Sequence, residues 1–457
     1  MATVNKTHSD YDDLIDRWVT CNDVSAGQHA VHKKGERYLP RLREQSDYDY
    51  RDYKNRTLFY NATWRTIAGL QGLIFRKNPV VTVSSSLEKL LLDVTLEDQS
   101  IFEFCYELTE QMLTTGRTGI LVSYPEQSTD GMTQADVSRY NLRPYLKIYD
   151  ADTIINWRYG TVNNLSQLTM IVLVEDYEEQ LNEFQTKCEK RYRVLDIDNG
   201  RYRVRVFRIN DKDEDELISE VWPIMNGQYL DYIPFVIDQD VDDPPLIDLV
   251  YANLSHYQMS SSYENGCFRC GIPQPWISGY TAETGGEKLS IGANTAWVFS
   301  DPQAKVGYLE FTGSGLGSLE NNLTRKEQMM AVLGARMLSA DKKGVEAADT
   351  AAIYRSGENS VLAGVSRMLS KQISKALSIM DTWIGGNGDA TIQLNTDFFE
   401  KSLTPQEATA YIQLIQSGTC SHEAIFDNMQ IKGFYPDELT FEEEQARIDT
   451  NPQIPTP

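Results

Sequence analysis

Residues 244–384 alternate helical apolar periodicity with two inserts of different character, and this alternation limits what the chain can fold into more than any other feature. A helix is predicted over residues 246–268. It ends at Gly271-Ile272-Pro273, because proline lacks the donor that a continuing helix needs. A strand-like insert carrying Trp276, Tyr280 and Trp297 then runs to Phe311. A second helix follows Gly317, with Leu319, Leu323, Met330, Leu333 and Met337 in one stripe interrupted by Lys326. It ends in Ser339-Ala340-Asp341-Lys342-Lys343-Gly344. A third helix is predicted over 347–384, where Leu362, Val365, Leu369, Ile373, Ala376, Met380 and Ile384 recur at spacings of three and four. Gly357 and Gly364 within it each cost about 1 kcal/mol against alanine, so a kink or a close contact is expected there. Such an order suits a subunit that builds a wall with others.

The flanking segments read as an α+β protein. Residues 1–125 are mainly helical in pattern. Gly69 and Gly72, three apart, permit close helix packing before Asn78-Pro79 stops the helix. Ile101, Phe104, Cys105, Leu108, Met112 and Leu113 hold helical spacing over 99–115, and residues 118–123 read as a buried strand closed by Pro125. From 140 to 240 the pattern changes to strands at 145–149, 168–174, 191–197 and 202–209. Basic and apolar residues alternate from Arg201 to Arg208. Acidic residues follow at once, so this reads as a half-buried strand with a solvated face and not as a nucleic-acid strand. After the glycine-rich linker 385–388, helix starts are marked at Thr404-Pro405-Gln406-Glu407 and at Ser421-His422-Glu423.

Composition excludes several classes. A chain of 457 residues suffices for two to four domains with a sizeable core. The longest apolar runs, such as Met170-Ile171-Val172-Leu173-Val174, are too short for a membrane span. The polar first 13 residues carry no apolar signal core. Six scattered cysteines do not form a disulfide framework, which favours a reducing compartment. The formal charge of -23, from 43 basic and 66 acidic residues, opposes phosphate-driven nucleic-acid binding. It suits either solubility alone or a surface that stays near DNA without sticking to it.

No motif carries catalysis. Gly313-Ser314-Gly315-Leu316-Gly317-Ser318 lies between a predicted strand and a helix, as a dinucleotide fingerprint would. However, Ser318 takes the third glycine's place and no second strand follows. Cys267 and Cys270 form a lone Cys-x-x-Cys with no further ligands for zinc, so they read as buried thiols at a helix end. His29 and His32 have no third ligand and read as part of a solvated surface. Neither a phosphate-binding Gly-x-x-x-x-Gly-Lys-Ser/Thr nor a Gly-x-Ser-x-Gly elbow occurs. No catalytic residue, metal ligand or cofactor is predicted.

Short segments spread along nearly the whole chain then take on a joint meaning. They are Arg37-Tyr38-Leu39-Pro40, Phe59-Tyr60-Asn61-Ala62-Thr63, Gly69-Leu70-Gln71-Gly72-Leu73-Ile74-Phe75-Arg76-Lys77 and Gly116-Arg117-Thr118-Gly119-Ile120-Leu121-Val122. Ile154-Ile155-Asn156-Trp157 follows, then Ala304-Lys305-Val306-Gly307-Tyr308-Leu309-Glu310-Phe311-Thr312-Gly313 and Leu333-Gly334-Ala335-Arg336-Met337-Leu338. In this order the chain resembles the portal proteins (head-to-tail connectors) of tailed bacteriophages, in the branch found in short-tailed phages.

The resemblance implies a ring, usually of twelve subunits, at one capsid vertex of the virion, assembled in the cytoplasm of a bacterial host. It implies a wing over 1–245, helical to about 140 and β-rich over 141–245. Stem helices would occupy 246–270 and 314–338, with a small α/β clip at 271–313. A tunnel loop would span 339–349, a long kinked helix 350–386, and a crown with the C-terminal tail 387–457. Genomic double-stranded DNA would pass non-specifically, driven by a separate terminase whose large subunit docks on the ring. Tail adaptor, capsid and scaffolding proteins would also bind, and no membrane is involved. Asp341, Lys342, Lys343, Gly344 and Glu346 would face the channel, and Trp276, Tyr280 and Trp297 would anchor clip contacts. The alternatives are a nucleotide-binding enzyme using residues 313–318, or another head or tail subunit.

Overall fold

The computed structural model describes residues 3–125, 139–162, 164–272, 274–278, 303–309, 313–338, 360–398, 421–431, 434–435 and 439–450, with single positions 136, 411 and 413. Its N-terminal part is helical, as expected: α1 (Ser9–Ala26), α2 (Gln28–Lys34), α3 (Asp47–Arg56), α4 (Ala62–Ile74), α5 (Ser85–Glu88) and α6 (Ile101–Thr115), with strand β1 (Val80–Thr82) before α5. Local chemistry sets their ends. The Ser46, Asn61, Ser84 and Ser100 side chains each accept a first-turn N–H, and Glu103 completes a capping box with Ser100. Gly116, with φ of 75°, supplies the left-handed residue that closes α6.

Two antiparallel sheets follow. β2 (Thr118–Ser123) lies between β3 (Tyr145–Asp150) and β11 (Phe235–Ile237). β4 (Ile154–Val162), β5 (Leu165–Asn182), β6 (Gln185–Asp198), β7 (Arg201–Ile209) and β8 (Asp215–Val221) form a meander in chain order, and β9 (Ile224–Met225) pairs with β10 (Gln228–Tyr229). On β7 the expected alternation is present: Tyr202, Val204 and Val206 are buried, while the arginines face acidic neighbours. Arg203 binds Asp196 at 2.8 Å and Glu220 at 3.0 Å, Arg205 binds Asp196 at 2.8 Å, and Arg208 binds Glu216 at 2.9 Å. The acidic residues after β7 are thus the next strand's half of an ion-pair ladder.

The remaining described elements are α7 (Ile247–Gly271), β12 (Gln274–Ser278), β13 (Lys305–Leu309), α8 (Leu316–Ala335), α9 (Val361–Trp383), β14 (Thr391–Gln393), α10 (His422–Ile431) and α11 (Phe441–Thr450). The apolar stripe of α9 is the spine of the main core: Leu362, Leu369, Ile373, Ala376 and Met380 are fully buried against residues of α6, β2 and β14.

Three expectations are corrected here. The helix expected from 347 is not continuous: Ser360 is extended (φ -74°, ψ 160°), its hydroxyl caps Ala363 N, and the described helix starts at Val361, residues 339–359 lying outside the described residues. Gly357 lies outside the described residues. Among the described residues a Cβ on Gly364 would meet nothing within 4 Å, so no close contact there explains that glycine, and the same holds for Gly69 and Gly72. Beyond the glycine-rich linker 385–388 the chain stays on the main body. β14 pairs with β1 in the register Val80↔Gln393, and Ala390, Ile392, Leu394 and Phe398 are buried in the main core.

Candidate assembly surface

The two helices that flank the insert form an antiparallel pair whose register can be read from three contacts. Lys326 Nζ donates to Ser255 Oγ at 2.6 Å, His256 Nε2 lies 3.5 Å from Glu327 Oε1, and Leu316 Cδ2 would stand 2.6 Å from a Cβ on Gly266. The strand ladder continues the same register, with Gln274 opposite Leu309 and Ser278 opposite Lys305. The pair therefore leads into a two-stranded ladder and forms a stalk. Lys326, which interrupts the apolar stripe of α8, sits in the seam and bonds across it.

The stalk is anchored at its base. Asn253, fully buried on α7, accepts from Thr63 N at 3.1 Å, Thr63 Oγ1 at 3.0 Å and Ala62 N at 3.1 Å, and it donates to Tyr60 O at 2.8 Å. One side chain thus satisfies the open N-terminus of α4 and binds it to α7. Nearby, the Tyr53 hydroxyl bonds the buried Ser261 hydroxyl, which also donates to Gln258 O at 2.7 Å. These partners make the serine run at 260–262 tolerable in a helix.

Away from the base, burial runs out. The last buried residues of α7 are Ser260 and Ser261, and α8 buries only Met330 and Gly334. The apolar groups beyond remain open: Val306 is 49%, Tyr308 63% and Leu309 64% exposed. On the base half, Tyr251, Met329 and Val332 are also more than half exposed. With Leu333 and Arg325 they line an open groove of about 720 Å³ between the helices. Apolar surface concentrated on one projecting element marks an interaction site.

Of the anticipated partner contacts, Trp276 stands opposite Gly307 on β13, where a Cβ would come within 2.9 Å of its indole Nε1; the ring remains 43% exposed. The cross-strand glycine is therefore a seat for the indole. Tyr280 and Trp297 lie outside the described residues, as do Asp341, Lys342, Lys343, Gly344 and Glu346.

The motifs set aside in the sequence have definite places. Gly313 has φ of 65° and α8 begins at Leu316, so Gly317 already lies in the helix; among the described residues only a short 3-10 turn directly follows α8. Cys267 and Cys270 are free and only half-buried, which corrects the expectation of buried thiols, since so little covers the outer part of α7. His29 is exposed as expected. His32 is half-buried beside the Tyr257 ring, and burial lowers its pKa. Among the described residues no three His, Cys, Asp or Glu side chains converge as for a metal, and no helix is long and apolar enough to cross a membrane.

His256 makes the stalk base sensitive to pH. Burial lowers its pKa below 6.5, against the opposing pull of Glu327. The folded state then favours the neutral ring, so the unfolded chain binds more protons just below pH 6.5. The contribution to stability is complete above that value and declines as pH falls towards the folded pKa. Asp150, pushed up to about 6 by burial, acts in the opposite sense between 3.8 and 6. A melting series from pH 7.5 to 5.5 isolates the histidine by difference: His256→Asn is expected to lose less stability on acidification than the parent chain.

Residues 245–384 match a family described as a domain of unknown function, DUF4055. The match spans the stalk, its insert and α9, under a third of the chain. No curated protein matches the sequence. Among solved structures, a chain from the virion of a native gene transfer agent particle is similar with a TM-score of 0.36 and 14% identity, covering 89% of this chain and 98% of that one. A chain from the neck of an empty gene transfer agent particle is similar with a TM-score of 0.35 and 14% identity, over 82% and 90%. Neither score reaches that of a shared fold.

Proposed function

We propose that the chain is the portal subunit of a tailed phage or phage-like particle: copies close into a ring at one capsid vertex, and DNA enters and leaves through its axis. The observation that carries this reading is the stalk, bracketed at its base by Asn253, with exposed apolar side chains beside that base (Tyr251, Met329, Val332) and on its strand ladder (Val306, Tyr308, Leu309). A single copy leaves that surface in water, and a ring of copies buries it. The order of parts supports the reading, because a mixed helical and sheet body precedes a helix, an insert, a second helix and a core-bound third helix. In this reading the body is the wing, α7 and α8 are the stem, and the β12–β13 ladder is part of the clip, which docks the terminase and later the tail adaptors. A ring of twelve copies is the stoichiometry proposed, with capsid and scaffolding proteins around the wing and the virion as its location.

The charge balance also supports passage over capture. Every fixed cation on a channel wall adds a phosphate contact, whereas an acidic wall keeps DNA moving. Residues 339–349 are the proposed tunnel loop, with Lys342 and Lys343 as a collar whose attraction is screened beyond roughly 8 Å at physiological salt. Changing both lysines to glutamate is expected to leave rings intact and to lower DNA packaging or retention several-fold. Packaging assays on assembled heads check this, and normal filling and retention would remove the lysines from the mechanism. The ring itself is tested by the size and shape of the purified protein.

A further inference from the structure

β5 and β6 extend beyond their sheet. β4 pairs with β5 only up to Leu173 and β7 pairs with β6 only from Arg191, so, among the described residues, 176–190 pair only with one another. This arm ends in a two-residue turn, Glu183-Phe184. Phe184 N donates to Asn182 Oδ1 at 3.0 Å, and Asn182 Nδ2 donates to Gln185 Oε1 at 2.9 Å. A register shift beside Leu181 marks a bulge at the tip. Phe184 is 87% exposed, more than any other large apolar residue among those described, and Leu181 is 57% exposed. Around them Glu178, Glu179 and Glu183 face water. A protruding edge with an apolar tip invites pairing unless it has a seat.

The α7–α8 groove has the complementary character. Its apolar lining, Tyr251, Met329, Val332 and Leu333, is flanked by Arg325, Arg336 and Lys326, against one carboxylate, Asp248. Resting on the ring reading above, we propose that Phe184 and Leu181 of one copy seat in this groove of the neighbouring copy, with Glu183 facing Arg325. The acidic arm then meets the basic rim of the groove, and opposite charges select the register in which the apolar knob enters. Each subunit would clasp the next through its own sheet arm, in addition to any helix-to-helix contact.

Photocrosslinking on assembled rings tests this. Full-length chain with p-benzoylphenylalanine in place of Phe184 is assembled from isotopically heavy and light copies and irradiated. A heavy–light crosslink from position 184 to residues 327–336 is expected. Closed rings that give no crosslink, crosslinks within one chain only, or crosslinks to another part of the neighbour would overturn the clasp while leaving the ring reading intact. Absence of rings would overturn both. A charge-reversal cycle provides a second readout. Glu183→Arg and Arg325→Glu should each lower the ring-to-monomer ratio roughly tenfold, and the combined variant should recover most of that loss. Equal ratios in all four proteins would count against the pairing.

Discussion

A chain carrying Met329→Asp and Val332→Asp is expected to fold normally and to remain monomeric. Both side chains are more than half exposed, at 54% and 58%, whereas the inward positions Met330 and Leu333 are untouched. Surface changes of this kind usually shift stability by no more than about 0.5 kcal/mol. In a ring the same positions would place two carboxylates in every copy-to-copy contact. Desolvating an unpaired carboxylate costs several kcal/mol, and the penalty recurs at each interface around the ring. Sedimentation velocity at micromolar concentration should show rings for the parent chain and a single slow species for the variant, with matching thermal melts. Rings in both proteins would mean that this face is not an interface.

The second large effect falls on stability. Asn253→Ala removes the acceptor for Thr63 N and Thr63 Oγ1 and the donor to Tyr60 O in one step. A buried group left without its partner costs about 1–3 kcal/mol, so a loss of about 3 kcal/mol is expected for the variant. In a protein of this size that corresponds to a drop of roughly 3 °C in melting temperature. Thr63→Val removes only the hydroxyl and should cost about 1 kcal/mol. A melting temperature unchanged by Asn253→Ala would show that water replaces the bracket and that the stalk base is held by apolar packing alone.

What was legible in the sequence follows from which forces are local. The period of Leu362, Leu369, Ile373 and Met380 marks α9 as a helix, and the Ser421-His422-Glu423 signal marks the start of α10, because capping is decided within one turn. The break at Ser360 is not legible because a helical pattern continues through a serine that prefers to cap, and only its backbone angles show which role it takes. The role of Asn253 is hidden for a related reason. It stands in an apolar stripe with Leu249, Val250, Leu254 and Tyr257, and a polar residue in that position signals a buried bracket only once its partners are known. The pairing of β1 with β14 joins residues more than 300 apart, so no pattern in either segment announces it. The groove is equally a property of two helices together: the stripe on α8 is legible, but the exposed face formed by Tyr251, Met329 and Val332 is not.

The central claim is that this chain is built to close a ring around an axial channel. Negative-stain electron microscopy of the purified full-length protein, after incubation long enough for slow closure, tests it most directly. The account predicts closed rings with a central hole and a projecting stalk layer, twelve-fold in the proposed stoichiometry. Compact monomers or small closed oligomers without an axial opening, persisting at micromolar concentration and moderate salt, would contradict it.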